Sequence, residues 1–376
     1  MHIEFTEEQS MLRDSSEKFL LENYTFDKRQ QAIKQSQGLS PEFWQQFADL
    51  GWLGMPFSEE DGGFGGGALE TMLLCENIGK YQVVEPFIST VVIVGGILAK
   101  SGSPELKEKY LEGIIEGRVQ GALAHTECGN TSLAFKCTTT AKESTTGFKI
   151  SGKKHVVRNG PHANVFLVTA VVGNAVSPSL FAIPADAPGL TTQDYSTYDG
   201  KAASDVFLDN VEVDKSALVG DRNKARQLIV PVLQRAILAV SAEAVGAMDS
   251  LVKGTVEYTK QRKQFGRPIS EFQVLRHRMV NMFMETELTR SLMLATAWHL
   301  DNKLEEAEGL VYALKAKVGK AGPYVAQSAI QLHGGIGTTD ELNIGHYFKR
   351  ITVIENLFGS RGFHLKRFAD LGKRAI

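Results

Sequence analysis

Cysteine is scarce, and the little present does not pair. Only three of the 376 residues are cysteine; Cys75, Cys128 and Cys137 form no Cys-x-x-Cys spacing and are odd in number. A disulfide framework or a structural zinc site is therefore not expected. Neither sign of charge dominates: 41 Lys and Arg stand against 43 Asp and Glu, a formal net charge of −2, where a general nucleic-acid binder would show a basic excess. No stretch approaches the roughly 20 uninterrupted apolar residues of a membrane-spanning helix. The segment from Met1 to Glu8 has neither the basic nor the apolar region of a secretory signal. Together these absences predict a cytoplasmic chain that engages neither nucleic acid nor membrane. There is also no Walker sequence, no Gly-x-Gly-x-x-Gly after a strand, no Gly-x-Ser-x-Gly elbow and no His-Glu-x-x-His site. The nine histidines are scattered and read as surface or satisfied core residues, not metal ligands.

What is present is the ordinary balance of a globular protein, 43 % apolar and 22 % charged, in a chain long enough for two or three cores. Its texture changes twice. Residues 1–118 read as helices joined by short loops. Phe5, Met11, Leu12, Phe19 and Leu20 recur at helical spacing, with Thr6 as cap and Gln9 in the first turn. Pro41 opens another helix. Five glycines in the six positions 62–67 require a loop, and a helix follows from about Ala68. Residues 119–222 are β-rich: Cys137–Ala141, Asn164–Val172, Leu180–Ile183 and Asp205–Leu208 are β-branched or aromatic runs separated by turns such as Asn159-Gly160-Pro161. With no helical pattern between them they predict an antiparallel sheet or barrel rather than βαβ units. Residues 223–376 return to helix. Ala236–Met248 is apolar almost all round, as in a helix buried inside a bundle. Phe272, Leu275, Met279, Met282 and Phe283 form a second apolar face, and the positions from Leu310 to Leu332 mark a third helix and a fourth. The class predicted is α+β, with helical, antiparallel β and helical domains in that order.

Two segments carry chemistry. From Tyr258 to His277 the pattern predicts a helix ending near Arg262, a turn at Gly266-Arg267-Pro268, and a new helix capped by Ser270 with Phe272 and Leu275 facing inward. That corner gathers Arg262, Phe265 and Gln273. An arginine can clamp a diphosphate, a phenylalanine can pack on a ring, and a glutamine can fix a polar edge; a basic, solvated loop is the bland reading of the same residues. In the second segment, Gln331-Leu332-His333-Gly334-Gly335-Ile336-Gly337, a helix stops at adjacent glycines. One glycine serves a cap, so three in four positions predict contact with another backbone or a ligand.

Taken with the helix–sheet–helix order, Arg262-x-x-Phe265-Gly266 followed by Gln331-x-x-Gly334-Gly335 resembles the acyl-CoA dehydrogenase family over essentially the whole chain. The resemblance implies an N-terminal helical domain, a middle β domain and a C-terminal four-helix bundle, assembled as dimers and tetramers with FAD at the subunit interface. It implies that Arg262, Phe265, Gly266, Gln331, Gly334 and Gly335, together with Gln273, hold the ADP half of a flavin whose ring lies in the neighbouring subunit. The implied reaction is α,β-dehydrogenation of an acyl-CoA thioester: a carboxylate takes the α proton, the β hydride passes to the flavin, and electron-transferring flavoprotein reoxidises it. In the middle domain His125-Thr126-Glu127 is similar to the family's Thr-Glu, which implies a flavin-ring contact for Thr126. Ser132 falls where a serine lines the cofactor or CoA site, and Asn159-Gly160 matches the end of a Trp-x-Thr-Asn-Gly segment.

The departures are as informative as the matches. Where the family places its base, this chain reads Leu357-Phe358-Gly359-Ser360, and a phenyl ring cannot accept a proton. The alternative family position, 29 residues before Phe265, is Ala236. Glu243 and Glu355 are the weak substitutes, since reach to the α proton comes first; Glu243 is expected to pair with an arginine instead, and Glu355 to face solvent. Val156 and Arg158 replace the family's ring-facing Trp and Thr, Cys128 replaces a proline, and Leu133 an aspartate. The half-site for this chain's own flavin ring is degraded, while the half donated to a neighbour is kept. That asymmetry, with Ala236–Met248 and His346–Arg350, resembles the smaller subunits of α2β2 acyl-CoA dehydrogenases acting on pimeloyl-CoA-type or steroid-derived thioesters. Three readings follow: a non-catalytic subunit completing a related catalytic subunit's FAD site, a self-sufficient homotetramer using Glu243, or a flavin-free scaffold.

Overall fold

The computed structural model describes residues 4–101, 103–129, 133 and 135–374. Its helical first part holds α1 (Glu7–Asn23), α2 (Phe26–Ser36), α3 (Pro41–Asp49) and α4 (Ala68–Lys80). After these come π-helical turns at Ile88–Gly95 and Lys107–Leu111 and the short helices α5 (Gly96–Ser101), α6 (Pro104–Leu106) and α7 (Glu112–Ile115). Thr6 caps α1 in a reciprocal box: the Gln9 N–H donates to Thr6 Oγ1 at 3.2 Å and the Thr6 N–H to Gln9 Oε1 at 3.0 Å. The expected inner face of α1 needs correction, because Leu20 is buried but Met11 is exposed. Met11 and Leu12 are about 100° apart on a helix, too far to share a narrow stripe. Ser40 caps α3, Pro41 occupies its first turn, and Phe43, Trp44 and Phe47 are buried. By contacts the chain forms two compact units, Met1–Arg29 with Ala68–Val83 and Ile237–Ile376, and Gln30–Gly67 with Val84–Ala236.

The second unit contains the sheet: β1 (Gly121–Ala124), β2 (Thr140–Glu143), β3 (Gly147–Arg158), β4 (Val165–Val172), β5 (Ser179–Pro184), β6 (Leu190–Ser196) and β7 (Ala202–Asp214). Their order is β1-β4-β2-β3-β7-β6, with β5 also paired to β4. Pairs β2–β3, β3–β7, β4–β5 and β6–β7 are antiparallel as expected, whereas β1–β4 and β2–β4 are parallel. Parallel pairing requires long connections, and neither β1 nor β2 reaches β4 by a hairpin. Phe148, Ile150, Phe166, Phe181, Ile183 and Leu208 fill the core of the sheet.

The first unit is dominated by long helices: α8 (Ala225–Gln261), most of which belongs to this unit, α9 (Gln273–Asn302), α10 (Leu304–His333), α11 (Asn343–Asn356) and α12 (Arg361–Arg374). By length and composition α8 is apolar enough to cross a membrane, but its apolar stretch is mostly buried, and Ala236–Met248 is buried on every side. Within this unit α8 and α4 touch backbone to backbone. A Cβ at Gly79 would fall 1.9 Å from the Glu243 carbonyl oxygen, and one at Gly246 would fall 1.9 Å from that of Glu76. Only glycine permits that approach. The residues from Leu310 to Leu332, expected to mark two helices, lie on one. Helix α10 runs through Pro323 despite losing a backbone donor there, and the fourth long helix is α11.

Candidate functional site

The corner after α8 is held by its own backbone. The Arg262 N–H donates to the Tyr258 carbonyl at 2.9 Å, and the Ile269 N–H donates to the Arg262 carbonyl at 2.8 Å. Between them β8 (Lys263–Gln264) and β9 (Arg267–Pro268) form a minimal hairpin. Its two-residue turn is Phe265-Gly266, with φ of +52° and +79°. Positive φ at both positions suits the twist of such a hairpin, but the usual first residue is Asn, Asp or Gly. A phenylalanine there is strained, and this one is also 90 % exposed. Helix α9 starts at Gln273 behind Phe272, without a side-chain cap. Ser270 therefore does not cap it; its carbonyl accepts from Arg276 Nε at 2.7 Å instead.

Facing this corner, α10 ends at His333 and Gly334 turns the chain with φ +66°. A Cβ at Gly334 or Gly335 would meet nothing within 4 Å, so these glycines leave open space. That space is a cleft of ≈ 630 Å³ whose walls include Arg262, Arg278, Gln331, His333, Gly334 and Gly335. Its volume lies in the range of small-molecule sites. Two guanidiniums and no carboxylate face it among the described residues, which suits an anionic ligand. Phe265, Gly266 and Gln273 are exposed and do not line it. Arg278 escaped the sequence reading, although it stands four residues after Val274 and three after Leu275, on the same helical face.

The β-domain positions are differently occupied. Thr126 is half-buried, and its carbonyl accepts from the His155 N–H at 2.8 Å. Glu127 is buried against Lys154, whose Nζ donates at 2.7 Å, and it also accepts from Thr138 and Thr139. Burial opposes ionisation, but the bonds from Lys154 and Thr138 prevail and hold this carboxyl far below the usual carboxylate range. Val156 sits at a bulge with φ +50°, half exposed, its N–H given to Asp205 Oδ1 at 3.2 Å. Asn159 donates to Thr90, Gln120 and the Gly121 carbonyl, a buried structural role. Ser132 lies outside the described residues.

The base positions offer no proton acceptor. Ala236 is fully buried and Phe358 is 7 % exposed. Both Glu243 oxygens are engaged by Arg350, at 2.7 Å to Nε and 2.6 Å to Nη2. The turn carrying Phe358 is pinned by two buried side chains. His364 Nε2 donates to the Phe358 carbonyl at 2.9 Å, and Lys315 Nζ donates to the carbonyls of Glu355 and Gly359 at 3.0 and 3.2 Å. Burial pushes His364 down to about 4 and Lys315 down to about 8.

Three family descriptions match in sequence order: "Acyl-CoA dehydrogenase, N-terminal domain" over residues 6–118, "middle domain" over 122–211 and "C-terminal domain" over 228–371. The acyl-CoA dehydrogenase FadE12 of Mycobacterium tuberculosis is 31 % identical over 317 residues, covering 81 % of this chain and 80 % of its own. Among solved structures, the FAD complex of PigA superimposes with a TM-score of 0.91 at 26 % identity, covering 100 % of both chains. The Tcur3481–Tcur3483 steroid ACAD does so with a TM-score of 0.86 at 26 % identity, covering 98 % of each.

Proposed function

Because the chain belongs to the acyl-CoA dehydrogenase family, an oxidoreductase family acting on CH–CH bonds, we propose that it is the non-catalytic subunit of a heteromeric FAD-dependent acyl-CoA dehydrogenase. In this reading FAD is the cofactor and, when bound, supplies the hydride acceptor for α,β-dehydrogenation of an acyl-CoA thioester. Arg262 and Arg278 answer the diphosphate, while Gly334 and Gly335 leave room for the ADP half. The ring pocket and the base belong to a related catalytic subunit, in an α2β2 assembly reoxidised by electron-transferring flavoprotein. The observation that carries the reading is the asymmetry within this chain: an open, cationic cleft at Arg262, and Phe358, Ala236 and a fully engaged Glu243 where a base is needed. PigA binds FAD, and the steroid ACAD carries two component names; both support the reading by likeness. The apolar stripe Val280, Phe283, Met284 and Leu288 on α9, exposed in the single chain, supports assembly.

The test is purification of the chain alone and with a related subunit that carries an intact glutamate, reading the visible flavin spectrum and the FAD-to-chain ratio. Little FAD alone and full occupancy together are expected. Arg262→Ala should lower occupancy of the pair, since it removes a charge-assisted bond of about 1.5–3 kcal/mol. A fully flavinated, active single chain would overturn the reading.

A further inference from the structure

His333 stands in the wall of the cleft, and its ring is fixed from two sides. It is 6 % exposed and stacks on Tyr258 with centroids 4.3 Å apart and planes 23° apart. The Tyr258 hydroxyl donates to the His333 carbonyl at 3.3 Å. Nδ1 lies 2.8 Å from the Ala329 carbonyl oxygen. A carbonyl only accepts, so the proton of the neutral ring sits on Nδ1 and Nε2 keeps its lone pair. Burial holds the imidazole below the ordinary histidine range, so this neutral form prevails at neutral pH. Nε2 has no hydrogen-bond partner among the described residues and is not sealed in the core. His333 lines the cleft beside Arg262 and Arg278, so an unpartnered acceptor belongs to its wall.

We propose that His333 Nε2 reads a hydrogen-bond donor on the nucleotide half of the cofactor, the exocyclic amino group of adenine or a ribose hydroxyl. The proposal rests on the reading that the ADP half lies in this cleft. A diphosphate oxygen cannot satisfy this nitrogen, because it too only accepts. A ligand offering an acceptor, or nothing, leaves the imidazole lone pair desolvated and unpaired, and sites built to bond a donor reject analogues lacking it. The stack on Tyr258 and the bond to Ala329 hold the lone pair in one direction, so the selection is made without moving the ring.

The experiment uses the full chain and titrates it with ADP, with inosine diphosphate, in which a carbonyl replaces the amino group, and with the 2′- and 3′-deoxy analogues of ADP. Binding is followed by NMR through the backbone amides of Gly334 and Gly335. One analogue class should bind roughly tenfold more weakly than ADP, and it identifies the donor. His333→Phe, which keeps a flat ring for Tyr258, should erase that discrimination, and His333→Gln, which restores an acceptor, should recover part of it. Equal affinity of the unaltered chain for all four nucleotides would overturn the assignment to His333 while leaving the cleft as a nucleotide site. No saturable ADP binding at millimolar concentration would overturn the cleft reading and this inference with it.

Discussion

Lys315 is an ammonium wholly removed from water whose hydrogen-bond acceptors are the carbonyls of Glu355 and Gly359. Desolvation lowers its folded pKa from 10.5 to about 8. Between those values the unfolded chain keeps a proton that the folded chain has released, so stability rises with pH across that window and the charged form is penalised below it. The size of the effect is about 3 kcal/mol, from ~1.4 kcal/mol per pH unit. Chemical denaturation from pH 7.5 to 10.5 should show that rise in the unaltered chain. In Lys315→Met it should be smaller by about that amount, and an unchanged slope would refute the account. At this scale the candidate site was legible only where chemistry is written in short motifs. Arg262, Gln331, Gly334 and Gly335 do line one cleft. The Glu127–Lys154 pair, 27 positions apart, and the Lys315 clamp on carbonyls 40 and 44 positions away depend on tertiary proximity that no spacing announces. His333 lay inside a motif, but its tautomer is set by the Ala329 carbonyl, which only the folded helix brings to it.

The hairpin of β8 and β9 carries strain in its two-residue turn. Phe265 combines a left-handed backbone with 90 % exposure, and Arg267 stacks on Phe272 next to it at 4.3 Å. In the lone chain both features of Phe265 are costs, because a bulky residue at positive φ is strained and an exposed aromatic ring orders water. Replacement by the residue such a turn prefers should relieve them. Phe265→Asn is expected to leave the thermal midpoint of the isolated chain equal or higher, and to lower FAD occupancy of the assembled enzyme. A fall in the midpoint with occupancy unchanged would mean that Phe265 serves this chain alone. Elsewhere, local pattern was a good guide where a helix start is explicit, as in α1 with Thr6 and Gln9 or α3 with Pro41. It misled for Met11 and for the two helices expected between Leu310 and Leu332, which are one helix running through Pro323. It was silent on β1, β3 and β6. Strand β6 is largely exposed, and β3 is interrupted by irregularities around Ser151 and His155, so neither shows clean alternation.

For the whole molecule the decisive question is whether this chain can take the α proton. A positioned base is worth about 10²–10⁴-fold in rate; neither family position carries a carboxylate, and of the two substitutes Glu355 is half-buried on α11 and accepts from Asn356 Nδ2 at 2.9 Å. Phe358 and Ala236 are inert. Glu243 is 1 % exposed and spends both oxygens on Arg350, so it neither faces solvent nor has an oxygen outside that pair. The pair itself is structural: removing one partner of a buried ion pair leaves an uncompensated charge and costs about 3–5 kcal/mol. Glu243→Gln should therefore lower the stability of the chain by a few kcal/mol, at the lower end of that range because the amide can still accept one bond from Arg350. Turnover per assembled and folded enzyme should stay unchanged, measured as acyl-CoA oxidation with an artificial electron acceptor below the variant's melting temperature. The isolated chain should be inactive with either residue. If instead the purified chain alone oxidises an acyl-CoA, and Glu243→Gln abolishes that activity while the protein remains folded, then Glu243 leaves Arg350 during the reaction and the self-sufficient homotetramer replaces the two-component enzyme. The two outcomes differ in stability and in rate, so a single variant separates a structural carboxylate from a catalytic one.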